Sequence, residues 1–156
     1  MILWTDGSAE PNPGPGGWAV IDAATKSPIL TGSEDHTTNI RMEGTAIREA
    51  IKYAIKADSS VEIYTDSEFW INVLTKWAPT WRSRGWTKKN GEIKNLDLVQ
   101  ALYTAFKAHS DTKLEWTRGH VGTEGNELAD EWANKARAGA KIINGEVIVG
   151  GEPVKF

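Results

Sequence analysis

Along these 156 residues the hydrophobic pattern opens with short strand-like runs and then alternates helical spacing with further strands, and few folds accommodate that order. Residues 2–5 form an apolar run that closes at Asp6. Residues 7–17 hold three prolines and four glycines, a composition that reads as a turn. Residues 18–22 and 29–33 then read as two more strands, so the first part of the chain is an antiparallel meander. From there Ile47, Ala50, Ile51, Ala54 and Ile55 recur at helical spacing, in a helix expected to begin near Glu43. A strand over 61–65 follows, then a helix with Phe69, Trp70, Val73, Leu74 and Trp77 on one side. Leu98, Val99, Leu102 and Phe106 mark another helix, Leu114 and Trp116 a strand, and Leu128, Ala129, Trp132 and Ala136 a last helix. The order βββαβααβα demands a mixed sheet, antiparallel in its first half and linked by helical crossovers in its second.

The length suits one domain. With no cysteine, disulfides, thiolate-held zinc, iron–sulfur clusters and a thiol nucleophile are all excluded, which suits a reducing compartment. The start of the chain lacks the basic and apolar segments of a signal peptide, and no run approaches the ~20 apolar residues of a membrane span. The expectation is a soluble, cytoplasmic, monomeric protein with no obligate protein partner and no membrane attachment. The net charge is −3, yet residues 77–95 carry five basic residues (Arg82, Arg84, Lys88, Lys89, Lys94) and one acid (Glu92). That local +4 leaves −7 on the remainder, so a basic contact lobe is attached to an acidic body.

Four acids stand where a doubly charged cation could be gripped. Asp6 closes the first strand, Glu43 opens the first helix, Asp66 closes the fourth strand and Asp130 lies on the last helix. Adjacent strands would set Asp6 beside Asp66 beyond the carboxyl ends of a sheet, the usual place for an α/β site. Converging carboxylates repel one another unless a hard cation neutralises them, and oxygen-only ligands select magnesium or manganese. Each acid also has a bland role. Asp-Gly is a common turn pair, Asp66-Ser67 a helix cap, Glu43 a first-turn helix acid, and Asp130 a solvated helix charge.

The sequences around these acids decide between the two. Residues 5–18 read TDGSAEPNPGPGGW, 37–50 read TTNIRMEGTAIREA, 64–70 read YTDSEFW and 116–133 read WTRGHVGTEGNELADEWA. In this order and at these gaps they resemble type 1 ribonuclease H, over nearly the whole chain to about residue 138. The resemblance implies an α/β, ribonuclease H-like fold with a five-stranded mixed sheet and helices on both faces. Residues 1–138 would be the catalytic domain, with a basic handle at 77–95. Residues 139–156 would be an extension, either a short hairpin signalled by Asn144-Gly145 or a flexible tail.

The implied activity is hydrolysis of the RNA strand of an RNA–DNA hybrid with two Mg2+ ions, Mn2+ being a substitute, leaving 5′-phosphate and 3′-hydroxyl ends. The family's four acids fall on Asp6, Glu43, Asp66 and Asp130, and its loop histidine on His120. Asn12 and Asn39 would contact the RNA side, and Thr38 and Asn95 a DNA phosphate. Trp81 and Trp86 would support the DNA strand, with Arg82, Arg84, Lys88 and Lys89 attracting phosphates; Trp77 is assigned to the core. The chain departs from the family at Ile40, where an asparagine is common, at Glu68, where a glutamine is common, and at His36, where some relatives carry an arginine.

Three rivals are weaker. The Gly-Pro-Gly-Gly run lacks the lysine and hydroxyl residue of a P-loop. A related nuclease of the same superfold, of the Holliday-junction or integrase type, would not be expected to carry the handle and the Gly-His loop. A non-catalytic hybrid-binding module would have lost at least one of the four acids, and all are present.

Overall fold

The computed structural model describes residues 1–89, 91–117, 124–143, 146–149 and 152–154. Strands β1 (Ile2–Ala9), β2 (Gly14–Asp22) and β3 (Ser27–Thr37) form the antiparallel meander. Helix α1 (Asn39–Lys56) leads to β4 (Val61–Thr65), which pairs parallel to β1. Helix α2 (Glu68–Asn72), a π-helical turn (Val73–Trp77) and α3 (Ala78–Ser83) then run head to tail. After α4 (Leu96–Ala108), β5 (Thr112–Trp116) pairs parallel to β4, and α5 (Glu124–Arg137) follows. The five expected strands are neighbours in the order β5-β4-β1-β2-β3. Three short strands, β6 (Ala140–Ile143), β7 (Glu146–Val149) and β8 (Glu152–Val154), extend the sheet from the β3 edge to eight strands. Strands β6 and β7 pair antiparallel across residues 144–145, which lie outside the described residues, as do 90, 118–123, 150–151 and 155–156.

Alternation along β2 explains why helices cover both faces. Val20 joins Leu3 and Ile63 beneath α1 and α4, in a core that includes Ile47, Ile51, Trp70 and Leu102. Its neighbours Ala19 and Ile21 point the other way, to Ala129, Trp132 and Ala133 of α5. Such two-sided burial is the expected driving force for a sheet fed by crossover helices. Among the described residues no helix is long and apolar enough to cross a membrane.

Two of the boundaries that differ from the sequence expectation position the site, each for its own physical reason. The turn expected over 7–17 is confined to residues 10–13, because β1 continues to Ala9 and β2 resumes at Gly14. The glycines there are not turn residues but points of close approach. A Cβ on Gly7 would collide with the backbone of Met42 and Glu43, and one on Gly17 with the backbone of Ala133 and Arg137. Helix α1 likewise begins at Asn39 and not near Glu43, because the Thr38 side chain accepts the Arg41 N–H at 3.2 Å and caps it.

Candidate active site

The parallel register of β1 and β4 is offset by sixty residues, Trp4 lying against Tyr64. Carried two residues further, it sets Asp6 against Asp66. Below them the Thr5 hydroxyl donates to the Tyr64 carbonyl at 3.1 Å, and the Thr65 hydroxyl accepts the Ser67 N–H at 3.1 Å. Asp66 therefore follows the strand, and Ser67, not Asp66, caps α2 by accepting the Trp70 N–H. Glu43 arrives from α1, whose backbone reaches β1 because Gly7 has no side chain. It sits past the first turn, which holds no acid, so the helix dipole does not account for it. Asp130 comes from α5 on the other face. Nor is Asp6-Gly7 a turn pair, since both lie within β1.

The other three acids all bear on Asp6 through their charge. Burial pushes the Asp6 carboxyl well above its ordinary range, the charge of Asp66 adds to the push, and Asp130 and Glu43 contribute further. Only the Gly7 N–H, donating at 2.8 Å, works the other way. Glu43 rises to about 7, first through burial and then through Asp66, against a lowering hydrogen bond from Ser67. Among the described residues no three acidic or histidine side chains are already gathered into a metal-binding cage. The carboxylates act on one another as like charges. A donor set made only of carboxylate oxygens, with its charged state penalised by burial and by like charge, fits a hard divalent cation. His120 lies outside the described residues.

Beside the acids runs a surface for a polymer. Asn39 accepts the Ala9 N–H through its side-chain oxygen at 2.6 Å, and its own N–H donates to the Asn12 side chain at 3.1 Å, so Asn12 and Asn39 are linked, with Thr38 beside them as the cap of α1. Arg41, which sequence reasoning passed over, extends that group. Its guanidinium donates to the Asn95 side chain at 3.2 Å and to Asp97 in two bonds, at 3.0 and 2.9 Å. Asn95 itself adopts a left-handed conformation, with φ +58, at the start of α4. Thr38 and Asn95, more than fifty positions apart at the starts of two helices, are thus joined through one arginine. The signal was present, since Arg41 stands one helical turn after Thr38.

Trp81, Lys88 and Asn95 line a groove of about 210 Å³ together with Ile40, Phe69 and Trp77. Phe69 and Trp77 are 38% and 40% exposed, and their ring centroids are 6.0 Å apart. Trp77 is therefore a surface residue, contrary to its assignment to the core. An unbroken α-helix from Trp70 would bury position 77 with 73 and 74. The π-helical turn inserts one residue per turn, and Ala78 takes the buried place instead. Trp81 and Trp86 are half-buried against the main core, while Arg82, Arg84 and Lys89 are exposed and Lys88 is half-buried. Arg82 and Trp86 line a different groove. Glu68 is exposed in the first turn of α2, two residues after Asp66.

A sequence profile of the RNase H family matches residues 1–138. The ribonuclease H of Cupriavidus pinatubonensis is 44% identical over 140 residues, which cover 88% of this chain and 95% of that protein. That of Polynucleobacter asymbioticus is 46% identical over 137 residues, covering 86% and 88%. Among solved structures, LC9-RNase H1, a type 1 RNase H with the type 2 active-site motif, superposes with a TM-score of 0.72 at 28% identity, over 96% of this chain and 78% of that one. A foamy viral protease-reverse transcriptase, solved with double-stranded DNA, shares the fold at a TM-score of 0.76 and 23% identity, over 87% and 92%. The family uses divalent metal ions and binds RNA–DNA hybrids. With its fold, its acids and these relatives in agreement, the chain belongs to the RNase H family and is a ribonuclease H.

Proposed function

We propose that this enzyme cleaves the RNA strand of RNA–DNA hybrids internally, using two Mg2+ ions, or Mn2+ in their place, and leaves 5′-phosphate and 3′-hydroxyl ends. Asp6, Glu43, Asp66 and Asp130 would hold the ions. When bound, these supply charge neutralisation and Lewis-acid activation at the scissile phosphate. The observation that carries the reading is the convergence of the other three carboxylates on Asp6. Asp6 is raised by burial and by three other carboxylates, one from the end of β4 and one from a helix on each face, an arrangement costly to a protein that binds no cation there.

The chain's own groups do the rest. Asp6, central to the cluster, faces both sides, with Asp66 on one and Glu43 on the other; Asp130 closes the site more loosely. His120 moves a proton near the leaving or attacking oxygen, as an imidazole titrating near neutrality can. The linked Asn12–Asn39 group meets the RNA side through side-chain amides whose oxygens are already bonded. Thr38, Arg41 and Asn95 hold a phosphate of the DNA strand. The apolar groove of Ile40, Phe69, Trp77 and Trp81 supports that strand's sugars, with Lys88 beside it. Arg82, Arg84, Lys89 and Trp86 extend the contact on the handle, and Glu68 sets a negative charge at its edge. The enzyme acts as a monomer.

The test uses end-labelled RNA–DNA hybrid, with RNA–RNA and DNA–DNA duplexes alongside. Wild type with magnesium is expected to cut only the RNA of the hybrid, at internal positions. Chelator and Asp66→Asn are each expected to abolish cutting, by roughly a thousandfold or more, as for groups that act as a unit. Binding of the hybrid without cutting in either metal would instead identify a non-catalytic module.

A further inference from the structure

Consecutive residues of α3 face two separate grooves. Trp81 lines the one beside the carboxylates, whereas Arg82 lines another of about 500 Å³, closed by Trp86, Gln100, Tyr103, Thr104 and Lys107. The chain reversal after α3 builds this second groove. The Gly85 N–H donates to the Arg82 carbonyl at 3.1 Å and the Trp86 N–H to the Trp81 carbonyl at 2.7 Å. Both residues of the reversal are left-handed, Gly85 at φ +69 and Trp86 at φ +63. For glycine this is free, but for tryptophan it costs about 1–2 kcal/mol. The strained residue is kept in place by its indole, which packs edge-on against Tyr103 with centroids 5.9 Å apart. A bulky residue held in a rare conformation invites the question of what its side chain serves.

The geometry points to a binding site for single-stranded nucleic acid, an unpaired strand continuing from the end of the hybrid. Arg82 and Lys107 are exposed cations at the rim, and no carboxylate is among the described lining. Between them the half-buried Trp86 indole forms a wall, backed by the buried Tyr103 ring, with the polar side chains of Gln100 and Thr104 beside it. Cations that track phosphates, interleaved with an aromatic wall for a base, are the chemistry of single-strand binding. A groove of this volume admits one nucleotide-sized group but not a duplex. Lys107 lies twelve residues along α4 from Asn95, roughly 18 Å at 1.5 Å per residue, a span a few nucleotides cover. The inference rests on the hybrid reading above and adds to it a place for the flanking strand.

The experiment compares a blunt hybrid with the same hybrid carrying an overhang of about ten nucleotides, a length typical of single-strand sites. Fluorescence anisotropy in chelator gives affinity, and cleavage of the blunt hybrid with magnesium gives activity. Two variants at exposed positions are used: Lys107→Glu, and Thr104→Trp, which fills the groove without changing charge. Wild type is expected to bind the overhang form about five- to tenfold more tightly than the blunt one. Both variants are expected to lose that advantage while cutting the blunt hybrid as wild type does. Absence of any overhang advantage in wild type overturns the proposal. So does a Lys107→Glu that weakens both forms equally, since that is long-range charge, or a Thr104→Trp that keeps the advantage. Failure of wild type to cut the blunt hybrid would overturn the hybrid reading, a separate readout from the overhang difference.

Discussion

The carboxylate cluster and the handle groove are neighbours built on opposite principles. The cluster is fixed by backbone contact. Gly7 lets α1 touch β1, Gly17 lets α5 touch β2, and the parallel β1–β4 register brings Asp66 to Asp6. Its acids are buried or half-buried and feel one another's charge. The groove is fixed by helix phase. A π-helical turn rotates Trp77 outward beside Phe69, and a left-handed Asn95 starts the helix that forms the other wall. Chemistry that tolerates little displacement is thus placed where the backbone cannot move, and recognition is left to side chains that can.

Substituting the two contact glycines breaks that comparison most directly. Gly7→Ala and Gly17→Ala each force a Cβ into the backbone of a packed helix, and each is expected to lose about 2–4 kcal/mol of stability. Only Gly7→Ala moves Glu43 relative to Asp6. It is expected to lower kcat on hybrid by about a hundredfold at temperatures where both variants remain folded, against a few-fold for Gly17→Ala. Urea melts with steady-state kinetics decide the matter, and equal kcat losses would show that α1 contact does not set the site.

The electrostatic half of the comparison shows itself in metal-free protein. Glu43 holds its proton up to about 7 in the folded state and only to its ordinary value when unfolded. Between those values the folded state binds more protons, so raising the pH favours unfolding. Asp6 is displaced in the same direction. Stability in chelator is therefore full below the ordinary carboxylate range and falls as pH climbs through about 7, by roughly 1–3 kcal/mol from Glu43. Magnesium is expected to reduce the fall, and Glu43→Gln to remove Glu43's part of it. Urea midpoints at acid and neutral pH provide the measurement, and a midpoint that rises with pH in chelator would contradict the shared-charge account.

The same contrast explains what could be read from the residues alone. All four acids were visible, because each sits in a distinctive local string and strand-end logic places two of them together. The order of elements along the chain and the mixed sheet followed from hydrophobic period, and helices on both faces from the family resemblance. The reach of β1 and β2 did not, because glycine in a turn and glycine under a helix look alike until the helix is in place. Arg41 was missed because its partners Asn95 and Asp97 lie more than fifty residues away. Trp77 was misplaced because an α-helical period assumes an unbroken helix, and no propensity marks where a π-helical turn adds a residue. His120 and its loop fall outside the described residues, so their expected part in the chemistry stands as a proposal.

Trp77 gives the smallest effect and the sharpest one for the groove. Trp70, on the same stretch of chain, is fully buried and donates its indole N–H to the Ile40 carbonyl at 2.7 Å. Truncating Trp70 to alanine is expected to cost about 3–5 kcal/mol of stability, whereas Trp77→Ala should cost about 1 kcal/mol or less. If the groove supports the uncut strand, Trp77→Ala raises KM for hybrid about three- to tenfold with kcat nearly unchanged, because the lost contact is made equally before and during the reaction. A variant that loses stability as Trp70→Ala does would return Trp77 to the core. One that keeps both stability and KM would remove the groove from substrate binding, leaving the handle's cations to act through charge alone. Steeper salt dependence of the remaining affinity would then be the sign of that mode.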